Sequence, residues 1–101
     1  MPDLEQVIIK TKDVRVRIIV LGPHEQGHWH YHSQVADNFV CLKGTILVYM
    51  KDKDEQISLS PGQRCMVDQG RVHQVTNAGD GSAEYLLVQG VGTYDFNIVD
   101  Q

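Results

Sequence analysis

The feature that most constrains this chain is an alternation of apolar and polar residues with a period of two, which recurs in short runs. Residues 14–20, VRVRIIV, place their valines and Ile18 on one face of an extended chain and Arg15 and Arg17 on the other. Because successive side chains of a strand point to opposite sides, this run predicts a half-buried strand. Runs rich in β-branched and aromatic residues predict further strands at residues 38–42, 45–50, 56–59, 64–67, 72–76 and 84–89.

Turn-forming residues separate these runs at short intervals, as at Gly22-Pro23, Lys43-Gly44, Pro61-Gly62 and residues 77–81. No stretch of the sequence shows the period of about 3.6 residues that is typical of an amphipathic helix. Many short strands joined by regular turns predict an all-β fold, either a sandwich or a barrel. Since the 101 residues contain no linker or low-complexity tract, we expect residues 1–101 to form a single domain.

Charge and hydropathy argue against two classes of partner. The net charge is −4 and the basic residues are scattered, so we expect no binding to nucleic acid, which needs clustered Lys and Arg. No apolar stretch approaches the roughly 20 residues that span a bilayer, and the first residues lack a signal peptide's basic flank. We therefore expect a cytoplasmic protein with no membrane partner. Cys41 and Cys65 are too few for a disulfide framework and are predicted to be core residues.

The histidines are concentrated in one segment. Residues 24–32, HEQGHWHYH, contain four of the five, and His73 is the fifth. In an extended strand, residues two apart share a face and lie about 6.6 Å apart. His28, His30 and His32 would then project from one side, where two of them could converge on one ion. Because imidazole nitrogens bind metals at about 2 Å, this pattern predicts a metal clamp.

The spacing beyond the histidine pair extends this pattern. His30 and His32 are followed by four residues, then Asp37, then six residues, then Gly44. This spacing resembles the first signature motif of the cupin superfamily, which runs His-x-His, three or four residues, an acid, six residues and Gly. Asp37 stands where the family usually has Glu, so its side chain is one methylene shorter.

A second motif follows at a distance. Gly62 is followed by five residues, Asp68-Gln69-Gly70, two residues, His73, three residues and Asn77. This resembles the second cupin signature, which runs Gly, five residues, Pro-x-Gly, two residues, His, three residues and Asn, with Asp68 in place of the proline. The two motifs together cover about residues 22–77. The resemblance implies an all-β fold, a cupin jelly-roll β-barrel with a metal inside its mouth.

The resemblance also implies a ligand set. Matched by position, His30, His32, Asp37 and His73 would bind one divalent metal ion, such as Fe, Mn, Ni or Zn. Three neutral imidazoles and one carboxylate suit such an ion and leave coordination positions for water or substrate. A rival assignment remains open, because the glycine that opens the first motif, Gly22, is in register with His28 rather than His30. In that assignment His28 and His30 form the pair, and His32 is not a ligand.

The function implied by the resemblance is a metal-dependent enzyme that acts on a small organic molecule. Dioxygenase, isomerase and lyase chemistry all stay open, and no catalytic residue beyond the ligands is assigned. The alternative is a cupin that binds or senses a small ligand without turning it over. Small cupins are commonly homodimers, and the apolar segments at residues 7–9 and 14–21 are consistent with a strand that pairs across a two-fold axis.

Overall fold

Residues 4–99, the part that the computed structural model describes, form ten β-strands arranged in two sheets. The strands are β1 (Leu4–Lys10), β2 (Val14–Leu21), β3 (His30–Tyr31), β4 (Ala36–Lys43), β5 (Ile46–Met50), β6 (Glu55–Leu59), β7 (Arg64–Val67), β8 (His73–Asn77), β9 (Ala83–Gly90) and β10 (Asn97–Ile98). The first sheet has the order β1-β2-β9-β4-β7, and the second has the order β10-β3-β8-β5-β6. The paired strands are antiparallel, which confirms the predicted all-β fold. The predicted domain limits at residues 1 and 101 lie outside the described residues.

The core lies between the two sheets and follows the alternation of the sequence. In β9, Ala83, Tyr85 and Leu87 are buried while the residues between them are half-buried. In β5, Ile46 and Met50 are buried in the same way and belong to the same apolar cluster. Because side chains from both sheets meet in this cluster, burial of their apolar surface holds the sheets face to face.

Strand β2 turns its arginine face inward. Its buried positions are Ile19 and Leu21, which share a face with Arg17. The side chain of Arg17 is only 12% exposed. The predicted half-buried strand is therefore present, and the face that carries Val16 and Ile18 points away from the barrel interior.

The histidine segment is less regular than an extended strand. Strand β3 contains only His30 and Tyr31, and it pairs with β8 on one side and β10 on the other. Before it, the backbone is held by two contacts with the second sheet, from Gly27 N to Val75 O and from Asn77 N to Glu25 O. These contacts place the segment along the rim of the barrel.

Within residues 4–99, the structure contains no helix with the length and apolar character needed to cross a bilayer.

The two cysteines lie in or against the core. Cys41 is buried in the core, Cys65 is half-buried and packs against the core, and both thiols are free. Burial raises the pKa of the Cys65 thiol to about 11, which makes it a poor nucleophile.

Asn77, the last residue of the second motif, ties three chain segments together. Its Nδ2 donates to the carbonyl oxygens of Gly22 at 2.9 Å and Gly81 at 2.8 Å, and lies 3.3 Å from that of Leu21. Its Oδ1 accepts a hydrogen bond from Gly79 N at 2.9 Å. The Asn77 residue is 1% exposed, so its own amide has little access to water as an alternative partner.

Replacing Asn77 should therefore destabilise the fold strongly. We expect Asn77→Ala to lower the free energy of unfolding by about 2–4 kcal/mol, because it removes the hydrogen bonds by which a buried amide joins Gly22, Gly79 and Gly81 to β8. Urea denaturation followed by tryptophan fluorescence measures this. Asn38→Ala is the matched control, since Asn38 makes one contact of 3.4 Å to Val88 O. The control should lose less than about 1 kcal/mol, and equal losses in the two variants would contradict the anchoring role of Asn77.

Candidate metal centre

Four side chains from three elements converge at one end of the barrel interior. His30 on β3 lies directly opposite His73 on β8, and His32 follows β3 immediately. Asp37 is on the inward face of β4. The nearest ligand atoms of the four all lie within 4.8 Å of one another. We call His30, His32, Asp37 and His73 the metal cluster.

Backbone carbonyls determine how the three histidine rings are oriented. The Nδ1 atom of His30 lies 2.7 Å from His28 O, that of His32 lies 2.5 Å from Asp95 O, and that of His73 lies 2.8 Å from Arg71 O. A carbonyl oxygen only accepts hydrogen bonds, so each Nδ1 must carry the proton. When a ring carries only this proton, the lone pair is on Nε2, which can then bind a metal. Such hydrogen bonds to the second ring nitrogen are typical of histidines that bind metal ions. An Nε2 that donates a hydrogen bond to Asp37 has to give up its proton before it binds a metal.

Asp37 supplies the negative charge of the cluster. Its Oδ2 lies 2.8 Å from His73 Nε2 and 3.3 Å from His32 Nε2, and its Oδ1 accepts a hydrogen bond of 2.7 Å from Gln89 Nε2. Burial raises the pKa of the Asp37 carboxyl, but the hydrogen bonds from His32 and His73 outweigh it and hold the pKa far below its usual range. Asp37 is therefore ionised although it is only 2% exposed. The shorter acid side chain does reach the histidines.

The histidines respond differently to this environment. Burial tends to lower the pKa of His32, but its hydrogen bond and charge interaction with Asp37 outweigh burial, so the pKa is raised. Burial lowers the pKa of His30 to about 4, because the hydrogen bond to His28 O and the charge of Asp37 are too weak to compensate. A ring that stays neutral near pH 7 has its Nε2 lone pair available for a metal ion.

The cluster fits a divalent ion on its own chemistry. Two ligands that each lie about 2.1 Å from one ion are at most about 4.2 Å apart, so a separation within 4.8 Å needs only small side-chain adjustments. Three imidazole nitrogens and one carboxylate are suitable donors for Zn, Fe, Mn or Ni. The residues present are therefore positioned to hold a metal, and its identity is not determined by this donor set.

A cavity of about 390 Å³ opens above the cluster, inside the barrel. Imidazoles of the cluster form part of its floor. The walls are mixed, with apolar side chains from β2 and β9 and several polar ones. The polar and aromatic side chains of the wall include Glu5, Arg17, Glu25, His28, Gln89 and Tyr94. A concave site with a few convergent polar groups is typical of small-molecule binding.

The C-terminal segment covers one side of the cluster. The Phe96 ring stacks on His30 with centroids 4.5 Å apart, and the Tyr94 ring lies 5.3 Å from His32. Between them, the Asp95 carboxylate accepts hydrogen bonds from Ser33 N at 2.8 Å and from Ser33 Oγ. Asp95 thus bonds to His32 through its backbone oxygen and to Ser33 through its side chain. The segment keeps part of the cluster away from water.

The structure distinguishes between the two predicted histidine pairs by placement. It brings His30 and His32 together with Asp37 and His73, and it leaves the exposed side chain of His28 at the cavity lining. His28 contributes its backbone oxygen, which accepts the hydrogen bond from His30. That His30, His32, Asp37 and His73 bind a metal stays a prediction.

Several residues around the cluster are not predicted from the sequence. Gln89 shares the inward parity of Tyr85 and Leu87 on β9, but the outward Leu86 and Val88 are equally apolar. Arg17 was seen in the alternation of β2, but nothing in that run indicates which face is inward. No local signal predicts Tyr94, because its position depends on the C-terminal segment folding back over the histidines.

Comparisons with known proteins agree with this architecture. A sequence model described as the cupin domain matches residues 17–89, whereas no curated protein sequence matches the chain. An uncharacterized conserved protein with a double-stranded β-helix domain from Klebsiella pneumoniae has a TM-score of 0.85 and 19% identity, over 98% of this chain and 85% of that one.

Two further solved structures are similar in fold. The polyketide cyclase RemF from Streptomyces resistomycificus has a TM-score of 0.81 and 14% identity, over 96% of this chain and 70% of its own. The Cupin_2 domain of an XRE family transcriptional regulator from Enterobacter cloacae has a TM-score of 0.79 and 15% identity, over 89% of this chain and 97% of its own. At such identities the likeness shows the fold, and it confirms the jelly-roll barrel that the two motifs predicted.

The metal cluster makes a direct prediction about stoichiometry. We expect the protein, loaded with Zn²⁺ and then desalted, to retain one zinc ion per chain by elemental analysis. Zinc reports the site rather than the working metal, since it binds such donor sets readily. Removing one of four ligands in His30→Gln or His73→Ala should weaken binding by at least about tenfold.

His28→Gln is the matched control, because it removes an imidazole of the same segment that lies outside the cluster. It should retain zinc like the wild type. His30→Gln guards against misfolding of His73→Ala, since the ring of His30 is less buried than that of His73. Wild-type zinc retention in both ligand variants would overturn the assignment.

Proposed function

This chain belongs to the cupin family, and from that premise we propose that it is a metal-dependent enzyme that acts on a small organic molecule. The observation that carries the proposal is the position of the metal cluster. Three imidazoles and one carboxylate meet beside a cavity of about 390 Å³, and two of them, His30 and His32, line it. The cavity is large enough for a small substrate. A purely structural metal site is usually closed by four protein ligands with no cavity beside it.

The chemistry that a bound divalent ion supplies in such a site is Lewis-acid polarisation of an oxygen atom on the ligand. The chain's own residues would hold and shape this site. Hydrogen bonds from Nδ1 fix the rings of His30, His32 and His73, so the donor atoms need little reorganisation. The rings of Tyr94 and Phe96 shield one side from water.

Two side chains of the cavity wall belong to types that transfer protons in enzymes, Glu25 and His28. Glu25 Oε1 accepts a hydrogen bond from Gly22 N at 2.8 Å, which holds the carboxylate at the rim. The side chain of Tyr31 is not part of the cavity wall, so we do not assign it a role. The reaction type is therefore left to direct assay.

The proposal is tested by metal-dependent turnover. Protein loaded separately with Fe²⁺, Mn²⁺, Ni²⁺ or Zn²⁺ is incubated with a panel of small organic molecules. Product formation is followed by mass spectrometry, and oxygen uptake by an electrode. We expect turnover with at least one metal, and a loss of at least about a hundredfold in kcat/KM for His73→Ala.

The control for this assay is His24→Gln. His24 is exposed and bonds to Asp80 at 2.8 Å on the outer surface, so its loss should leave turnover unchanged. Metal-dependent binding of a panel member without turnover by any loaded form would contradict the enzyme proposal. That result would favour the non-catalytic binding alternative.

We also propose that the chain forms a homodimer through the outer face of the first sheet. On this face Ile18 of β2, Leu86 of β9 and Val40 of β4 lie side by side in register. Val16 and Val88 form a parallel row next to them. These side chains point away from the core and form a contiguous apolar patch of the kind that a second copy covers.

A charge in the centre of this patch should separate the subunits. We expect wild-type protein to sediment as a dimer at micromolar concentration and Leu86→Glu as a folded monomer, because a carboxylate would be buried unpaired at the interface. Gln56→Glu adds the same charge at an exposed position of β6 and should stay dimeric. A monomeric wild type, or a dimeric Leu86→Glu, would refute this arrangement.

A further inference from the structure

Arg17 places a positive charge in the cavity wall, close to the metal cluster. It lies on the inward face of β2, and its Nη2 donates a hydrogen bond of 2.6 Å to Gln89 Oε1. Gln89 Nε2 in turn donates to Asp37 Oδ1 at 2.7 Å. A single side-chain amide therefore separates the guanidinium from the cluster. A molecule only a few atoms long can reach both.

The guanidinium has donor capacity that the protein does not use. Its Nη1 donates to Glu5 Oε2 at 3.0 Å. Its Nε is buried and has no hydrogen-bond partner among the described residues. An arginine offers five N–H donors arranged to match a carboxylate, and leaving a buried one unpaired is costly. Arg17 is thus held in the wall with its hydrogen-bonding capacity incompletely used, and Nη1, paired with the half-exposed Glu5, is the atom that an incoming carboxylate can take over.

The edge of the cavity beside Arg17 is locally basic, although the whole chain carries a net charge of −4. Lys10 pairs with Arg15 in the β1–β2 register, and both line a small recess together with Arg17 and Glu5. The Tyr94 ring lies under both guanidiniums, 3.8 Å from that of Arg15 and 5.6 Å from that of Arg17. Lys10 and Arg15 line this recess and not the cavity itself, so they act on the cavity by raising the positive potential around Arg17, which lines both.

Charge balance in the interior points the same way. A divalent ion beside the Asp37 carboxylate leaves a net charge of +2 − 1 = +1 in a region where the carboxylate is 2% exposed. Uncompensated charge is costly away from water. A ligand with one negative charge compensates for this charge from nearby, because its carboxylate can pair with Arg17, which is one side-chain amide away from the cluster.

We infer that the cavity binds a small organic carboxylate, with its carboxylate on Arg17 and an oxygen atom near its other end facing the metal cluster. The inference rests on the proposed function and specifies its substrate class. Glu5 shows that Arg17 can pair with a carboxylate in this wall, because its own carboxylate accepts a hydrogen bond from Arg17 Nη1. Glu5 is 47% exposed, so its ion pair is weak and an incoming carboxylate can displace it.

The experiment uses two probes of nearly equal shape, lactate and its neutral amide, lactamide. Binding to the zinc-loaded protein is measured by titration calorimetry, independently of any activity. We expect the wild type to prefer lactate to lactamide. Arg17→Gln should weaken lactate binding by about tenfold or more and leave lactamide binding unchanged. Glu5→Gln should strengthen lactate binding by about threefold, because it removes the competing carboxylate.

Arg64→Gln is the matched control, since it removes the same charge from an exposed position of β7 and should change neither affinity. Glu5→Gln alters a half-exposed side chain, so it tests the inference even if Arg17→Gln folds poorly. Equal affinities for lactate and lactamide in a wild type that retains zinc would overturn the inference, as would an unchanged lactate affinity in Arg17→Gln.

The two proposals fail in different ways. Failure of the wild type to retain a metal, or to turn over any panel member, counts against the proposed function. Zinc retention with turnover, but without discrimination between the two probes, counts against the carboxylate site alone.

Discussion

The rest of the site depends on one constraint, an ionised carboxylate in the barrel interior. Asp37 is 2% exposed, and a charge removed from water costs several kcal/mol unless polar groups compensate for it. The compensation comes from three side chains on three different segments, His32, His73 and Gln89. Each of these must be placed within hydrogen-bonding distance at the same time. The carboxylate therefore ties the histidine segment, β8 and β9 to β4.

The need to place His32 beside Asp37 also determines the path of the irregular C-terminal segment. The ring of His32 is oriented by Asp95 O, so the C-terminal segment must return to the rim of the barrel. There Gly92 approaches Gln34 so closely that a Cβ at residue 92 would overlap the Gln34 carbonyl oxygen. The short strand β10 completes the return by pairing with β3. The cover over the metal cluster and the orientation of the His32 ring thus have the same structural origin.

The sequence predicts the fold well where one face of a strand is distinctly more apolar than the other. In β6 the alternation of residues 56–59 identifies Ile57 and Leu59 as the inward residues. In β9 the outward Leu86 and Val88 are as apolar as the inward Tyr85 and Leu87, so the sequence does not identify Gln89 as inward. The four cluster residues were found because two motifs with specific spacings meet in the barrel.

Prediction fails where both faces of a strand have a function. In β2 the valine face is apolar and yet points outward, whereas Arg17 points into the cavity. A prediction from hydrophobicity alone would place the valine face inward and Arg17 outward, because it assumes that apolar residues are buried within one chain. The second copy that we propose would cover the apolar outer face, and Glu5 and Gln89 are polar partners of the buried arginine. Neither the outward apolar face nor the partners of Arg17 can be read from the sequence of β2 itself, because both depend on how the strands are arranged in space.

The identity of residue 89 shows how closely the two ends of the cavity are coupled. A glutamine amide has a donor and an acceptor at one position, and the neighbours determine its orientation, with Oε1 toward Arg17 and Nε2 toward Asp37. A glutamate there would place a second negative charge beside Asp37, and a leucine would leave both neighbours without a partner. A change in charge at the metal cluster therefore acts on Arg17 through a single amide. The side chain that we infer to hold the substrate carboxylate is positioned by the same network that keeps Asp37 ionised.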